Sequence, residues 1–403
     1  MDQDGPVEEP LGGRAGRRRH RRREPLEPRR GHRVGQCHAR RPREQPAHRQ
    51  VSLNLRPSEV PEATRAPRTG APSTSVARTV LVPAALLVIL AVIVLASFAV
   101  GSVQLPPVEV VEALRGERAS EAHLIVMDLR MPRTVAGLVA GVCLAVAGVL
   151  LQGATRNPLA SPTLLGITAG AGFAVVVVVA LLGAPSTYAV WAAFVGGAGA
   201  AALALALAGS GRDGMSPIRL ALSGAIISLL LSAWTQALLA LNQTDADEVR
   251  HWLAGSLAGR DAAAVPPLLP LVGIGLLAAA LLARSLDALS LGDEAAVGLG
   301  QHPGRVRLVA GATAVALAAV AVAVAGPIAF LGLIVPHVAR ALVGSAHRDV
   351  LVTSVVLGPV VLLAADVVGR VVARPSEIQA GVLTALIGAP VLIRVASRAK
   401  GAL

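Results

Sequence analysis

Arg130 and Arg133 stand three residues apart in LRMPR, and Asp366 and Arg370 stand four apart in ADVVGR. Residues at these spacings share one face of a helix, so Asp366 and Arg370 can form an ion pair. Both sets lie at the edges of apolar text, where an ionisable side chain is a functional suspect by default. A third group, Asp293 and Glu294, falls in the polar stretch RSLDALSLGDEAAVGLGQHPGRVR, residues 284–307. The chemistry on offer is electrostatic: pairing, capping and docking. The chain has no Walker loop, HExxH, GxSxG or dinucleotide-binding glycine pattern, which argues against an ATPase or a hydrolase. His337, beside Pro336, has no second His, Cys or carboxylate at ligand spacing and reads as a helix-packing donor. Cys37 and Cys143 sit in very different surroundings and make no CxxC or disulfide framework. No catalytic, cofactor or metal residue is expected.

The elements that must position these residues are apolar runs. The first, TVLVPAALLVILAVIVLASFAVG from Thr79, is long enough to span a bilayer. The 403 residues are 54% hydrophobic and only 15% charged, against about 25% charged in ordinary soluble proteins. Candidate spans cover 79–101, 134–154, 163–183, 188–209, 217–240, 264–284, 305–326, 328–343, 349–369 and 380–396. The fold class expected is therefore all-α, a polytopic transmembrane bundle of about ten helices. Segment 328–343 is short and reads as a partial span packed on protein. Period-two alternation is missing, so no strand reading competes.

Positive charge sets the orientation. The net charge of +12 is concentrated before residue 51, in runs such as GRAGRRRHRRR. Residues 1–77 form a basic, Pro-rich tail with too little apolar content to fold, expected to be disordered. It is too long and Arg-rich for a simple signal peptide. Its charge could serve to bind anionic lipid or nucleic acid; the stronger, bland reading is a dispensable tail or a start site placed too early, with no specific nucleic-acid partner. With this tail inside, Arg156, Arg212, Arg219, Arg284, Arg305, Arg307, Arg340 and Arg348 all fall on the cytoplasmic side, as do Arg394, Arg398 and Lys400. Both termini are then cytoplasmic, and residues 78–403 make up the membrane domain. Arg130, Arg133, Arg370 and Arg374 fall outside, against the bias.

Between the spans, local chemistry defines turns. Pro132 favours a helix start after Arg130. Gln152 can hydrogen-bond to a neighbouring helix. Asn157, Pro158, Ser161 and Pro162 force a defined re-entry. In the 284–307 loop, Ser290, Asp293 and Glu294 are placed to cap a short helix running to about Val297. Gly298 and Gly300 end it, and its apolar face would be Leu291, Ala295, Ala296 and Leu299. Such a helix can fit a groove on a soluble partner or lie on lipid. The Asp366–Arg370 pair lies near the outer end of its span, where a solvated pair is as plausible as a functional one.

Taken in order, five stretches resemble the FecCD-type permease subunits of ABC importers for iron–siderophore, haem and vitamin B12. They are LRMPR, QGATRNPLASPTLLGITAGAG, HWLAGSL, GPIAFLGLIVPH, and the AD…R…P.E…G..TALIGAP pattern, across about Thr79 to Val395. The resemblance implies a type II importer permease, non-enzymatic, working in a bacterial cytoplasmic membrane as a dimer with an identical or related second permease. ATP is used by a partner ATPase pair, and no cofactor is bound directly. An extracytoplasmic binding protein would dock through acidic residues onto Arg130, Arg133 and Arg370. The stretch with Leu291, Asp293, Glu294, Gly298, Leu299 and Gly300 would couple to the ATPase. Structural or gating positions would be Gln152, Asn157, Pro158, Pro336, His337 and Asp366, with Gly381, Thr384, Gly388 and Pro390 in the last span. Ferric siderophore is the expected cargo, with haem or cobalamin as the alternatives. An ion-coupled secondary transporter would need carboxylates near the bilayer midplane, which the spans almost lack. A non-transporting scaffold would need neither the shaped inner loop nor the outer arginines. The chain departs from the family where Gln379 and Ala380, not Pro-Val, precede Gly381, and where Arg394 stands in place of aromatic residues.

Overall fold

The computed structural model describes residues 76–101, 104–115, 121–184, 188–209, 217–241, 252–260, 262–373 and 376–400. The expected tail lies outside them apart from its last two positions, as do Cys37, Arg212, His251 and Arg374; of Arg394, Arg398 and Lys400 the backbone alone is described. Every regular element among the described residues is helical. In lipid no water satisfies backbone N–H and C=O groups, so a helix, which pairs them internally, is the stable form for these apolar runs.

In chain order the helices are α1 (Val76–Ala99), α2 (Pro107–Arg115), α3 (Glu121–Leu124), α4 (Met131–Thr155), α5 (Ile167–Val176), α6 (Ala189–Gly209) and α7 (Pro217–Leu241). There follow α8 (Leu269–Ser290), α9 (Asp293–Gly298), α10 (Pro303–Ala325), α11 (Leu331–Val343), α12 (His347–Val372) and α13 (Ala380–Lys400). Seven helices among the described residues are long and apolar enough to cross a membrane, and Ile167–Leu181, Leu331–Val343 and Ala380–Ile393 are shorter apolar helices. Together they fall on the ten expected spans.

Two features differ from expectation. The helix carrying Arg130 and Arg133 does not begin at Pro132. It is continuous from Glu121 to Thr155, passing through a π-helical turn at Ile125–Arg130. A widened turn just before a proline eases the clash between its ring and the preceding carbonyls. Helix α2 packs on this extension through Leu105, Val110, Ala113, Ala122 and Val126, a small core apart from the main one. Neither α2 nor α3 forms an apolar run, so hydropathy does not reveal them.

The main core is built on α4, which packs against α10, α11 and α12. In the apolar window of α4, 78% of residues are buried; in α10 and α12 the figure is 67%, and in α1 only 6%. Helix α4 is therefore the axis and α1 a peripheral staff. Exposed leucines on the outer helices, such as Leu229, Leu281 and Leu95, form a surface suited to lipid.

Small residues permit the close packing that lipid does not drive. A Cβ on Gly148 would stand 1.9 Å from the Gly332 carbonyl oxygen, and one on Gly141 would stand 2.6 Å from Pro359 N. Only glycine allows α11 and α12 to approach α4 this closely. Gly170 and Gly196 bring α5 and α6 together in the same way, whereas Gly199 meets nothing within 4 Å.

Candidate functional site

Helix α4 carries charge-bearing positions at both extremes: Arg133 near its start and Arg156 just past its end, about 35 Å apart at 1.5 Å per residue. Each belongs to a cluster that ties α4 to other helices.

At the first end, Arg133 forks onto Asp366 of α12. Its Nε donates to both carboxylate oxygens at 3.1 Å, and its Nη2 donates to Oδ1 at 2.7 Å. The remaining terminal nitrogen, Nη1, donates to Glu377 Oε2 at 2.7 Å. Arg370, one turn beyond Asp366, donates to Asp366 Oδ2. Asp366 is wholly buried and Arg370 is 2% exposed, so the pair is not solvated. Two guanidiniums on one carboxylate satisfy a charge that would otherwise be prohibitive to bury.

The same cluster holds the end of α1. Arg370 Nη1 donates to the carbonyls of Ser97 at 2.8 Å and Val100 at 3.2 Å, and Arg130 Nη1 donates to Phe98 O. A cation at a helix C-terminus meets unpaired carbonyls and the negative end of the dipole. Ser97 Oγ and Thr134 Oγ1 lie 2.8 Å apart and complete the seam. Arg370 Nε is buried without a hydrogen-bond partner. The three arginines singled out by sequence are thus brought together, but as buried staples joining α1, α4 and α12. Sequence reasoning does not single out Glu377, although it is the acidic position of the P.E pattern.

At the other end, Gln152 fills the predicted role of an inter-helix donor. Its Nε2 donates to Gly332 O and Leu333 O of α11 at 3.3 and 3.4 Å, and its Oε1 accepts from Arg340 Nη2 at 2.7 Å. Asn157 Oδ1 accepts from Leu159 N at 3.0 Å, closing a tight turn after Arg156 and around the exposed Pro158. Pro336 is buried inside α11, and His337 beside it is half-buried.

Helix α9 lies at this end. Gly292, with φ 111°, precedes it; Ser290 instead closes α8, its Oγ donating to Asp287 O. Asp293 receives Arg307 through two bonds of 3.0 and 2.7 Å and pairs with Arg156 at 2.8 Å. The Arg307 hydrogen bonds hold the Asp293 carboxyl below the usual aspartate range, and Arg156 adds to this. Ala296 is buried and anchors the helix, while Leu291, Val297 and Leu299 are 69%, 60% and 61% exposed. The apolar face is therefore Leu291, Val297 and Leu299; Ala295 is exposed among them and Ala296 points inward. Glu294, Gly298 and Gly300 are also exposed. Beside α9, His347 N and Nδ1 meet Asp287 Oδ1 at 2.9 and 2.7 Å, fixing α12 to α8.

Between the ends, irregular backbone enters the bundle. Residues 252–260 and the 326–330 turn meet the start of α13, where Gly381 N donates to Gly255 O at 3.0 Å. Leu257 lies against the position of Gly137, a turn below Arg133. Non-helical backbone at membrane depth persists where protein surrounds it or where it lines a cavity. Arg260 donates to Ser256 O and Ala325 O and lies over the Trp252 ring. Phe330, at φ 65°, packs where a Cβ on Gly388 would be 2.4 Å from its own Cβ. Thr384 is buried with its hydroxyl on Gly381 O, and Pro390 is exposed on α13. Among the described residues, no three His, Cys, Asp or Glu side chains gather as a metal site.

Residues 89–398 match the FecCD transport family. The chain belongs to the FecCD family. It is 42% identical over 327 residues to the ferric enterobactin transport system permease protein FepD of Escherichia coli, covering 81% of this chain and 97% of that protein. It is 39% identical to the Fe(3+)-citrate import system permease protein YfmD of Bacillus subtilis, over 75% of this chain and 90% of that one. A solved inward-facing structure described as a metal-chelate type ABC transporter superposes with TM-score 0.67 at 28% identity, covering 79% of this chain and 99% of that one. This FecCD chain is thus an all-helical, multi-pass membrane permease subunit of an ABC import system.

Proposed function

We propose that this FecCD chain is the permease subunit of an ATP-driven importer for ferric siderophores in a bacterial cytoplasmic membrane. The observation that carries the reading is that α4 bears an arginine–carboxylate cluster at one extreme and holds α9 at the other. A device that converts force at one membrane face into opening at the other needs a rigid link of this kind. The substrate class rests on relatives named for ferric enterobactin and iron citrate.

In this reading the Arg133 end faces outward and receives a substrate-loaded binding protein. Arg130, Arg133 and Arg370 shape its docking rim from within. The α9 end faces the cytoplasm, with both chain termini. Leu291, Val297 and Leu299 insert into a groove of the ATPase partner, and Asp293 fixes α9 to α4 and α10. ATP hydrolysis belongs to that partner; this chain performs no bond chemistry. Gln152, Asn157, Pro158, Pro336 and His337 maintain the inner turns, and Gly381, Thr384, Gly388 and Pro390 shape α13 beside the pathway. A second permease subunit completes the route, and residues 1–77 are a separate basic tail.

Reconstitution with the ATPase and binding protein in proteoliposomes tests this. ATP-dependent uptake is expected when the binding protein is loaded with a ferric siderophore. Uptake of haem or cobalamin alone would reassign the cargo, and full-rate accumulation without the ATPase would overturn the mechanism.

A further inference from the structure

The Arg133 guanidinium divides its donors between two carboxylates of very different surroundings. Nε and Nη2 go to Asp366, which is wholly buried and shared with Arg370. Nη1 goes to Glu377, whose side chain is 32% exposed. One side of the fork is sealed in protein and the other is closed by a carboxylate open to solvent. The backbone beside Glu377 is pinned: Ile378 N donates to Gly369 O at 3.2 Å, and a Cβ on Gly369 would meet Ile378 O at 2.3 Å. Glu377 can therefore leave Arg133 by rotating its own side chain, with the α12–α13 connection unmoved. Asp366 has no such freedom, and Arg370 Nη1 is committed to the α1 carbonyls.

We propose that Glu377 is an internal stand-in for the docking carboxylate: an Asp or Glu of the binding protein displaces it from Arg133 Nη1, and Glu377 returns when the binding protein leaves. This rests on the docking reading above. It reconciles a docking role with an arginine that is already paired and 8% exposed. Exchange of one carboxylate for another keeps Arg133 neutralised throughout, so no buried charge is stranded in either state. It also keeps the docked complex weak enough to release, while long-range attraction still guides encounter.

The test measures binding of the cognate binding protein to the intact importer in nanodiscs. Glu377→Gln removes the competitor and is expected to tighten binding about three- to tenfold. Glu377→Asp, with a shorter reach to Arg133, is expected to tighten it less. The gain should vanish against a binding protein whose docking carboxylates are changed to amides. Unchanged or weaker binding by Glu377→Gln, or a gain that persists against the amide variant, overturns the exchange. A wild-type importer that fails to bind its binding protein overturns the docking reading itself, before any Glu377 variant is compared.

Discussion

Asp366 is the residue on which the outward cluster turns. It is fully buried and pairs with two guanidiniums from different helices, with Glu377 supplying the second negative charge. Removing one member of a buried charge group strands the others, at a cost of about 3–5 kcal/mol. Asp366→Ala should therefore lower the unfolding midpoint sharply in detergent, while Glu377→Gln, which leaves Arg133 paired with Asp366 and an amide oxygen in place of the carboxylate, should lower it less. Equal melting of the two variants would remove Asp366 from its central place. Asp293 behaves differently because it is half-exposed. Its folded pKa is depressed, so its hold on Arg307 is fully present above the unfolded value near 3.9 and is lost as pH falls through the folded value. Coupled ATPase activity should show no transition from this pair between about pH 6 and 8. An Asp293→Asn variant that alters the profile in that window would contradict the assignment. The charges themselves were legible in the sequence, since Arg130, Arg133 and Arg370 stood against the orientation bias. Their burial was not. Asp366 and Arg133 are 233 residues apart, and no local pattern reports a partner at that distance.

At the scale of elements, close approach between helices is the controlling quantity. Gly148 faces the backbone of α11 with no room for a methyl group. Gly148→Val should prevent folding or shift α11, read as loss of monodisperse protein, whereas Gly199→Ala, in open space, should be tolerated. A well-behaved Gly148→Val with normal melting would refute the packing assignment. The surroundings of helix α9 offer the opposite case: the exposed Leu291 and Leu299 that flank it are not packed into the core. Leu299→Asp should leave the unfolding midpoint unchanged and uncouple ATP hydrolysis from uptake; normal uptake would exclude it from the coupling surface. The ten apolar segments were legible because a bilayer demands continuous runs. The start of α9 was less so, because Ser290 has the residue type of a cap while the chain path puts Gly292 at that position. Helices α2 and α3 carry no apolar run and were invisible for that reason.

For the whole molecule, the proposed orientation puts the two clusters on opposite membrane faces. In a chain with Cys37 and Cys143 replaced, a thiol introduced as Leu299→Cys should react only from the cytoplasmic side. One introduced as Glu109→Cys, on exposed α2, should react only from outside. Reaction of both from one face would break the proposed orientation, and exchanged faces would invert it.

The grip on α1 has a consequence for biosynthesis. Ser97 and the Arg370 that caps its carbonyl are 273 residues apart in the chain. At about 5–20 residues per second, the ribosome delivers that arginine roughly 14–55 s after the serine. Through that interval the first helix has its lipid-facing surface in place and the Ser97 and Val100 carbonyls still open, although Arg130 reaches Phe98 O far sooner. The nascent chain must shelter that frayed end, and the seam is sewn only when the penultimate helix arrives.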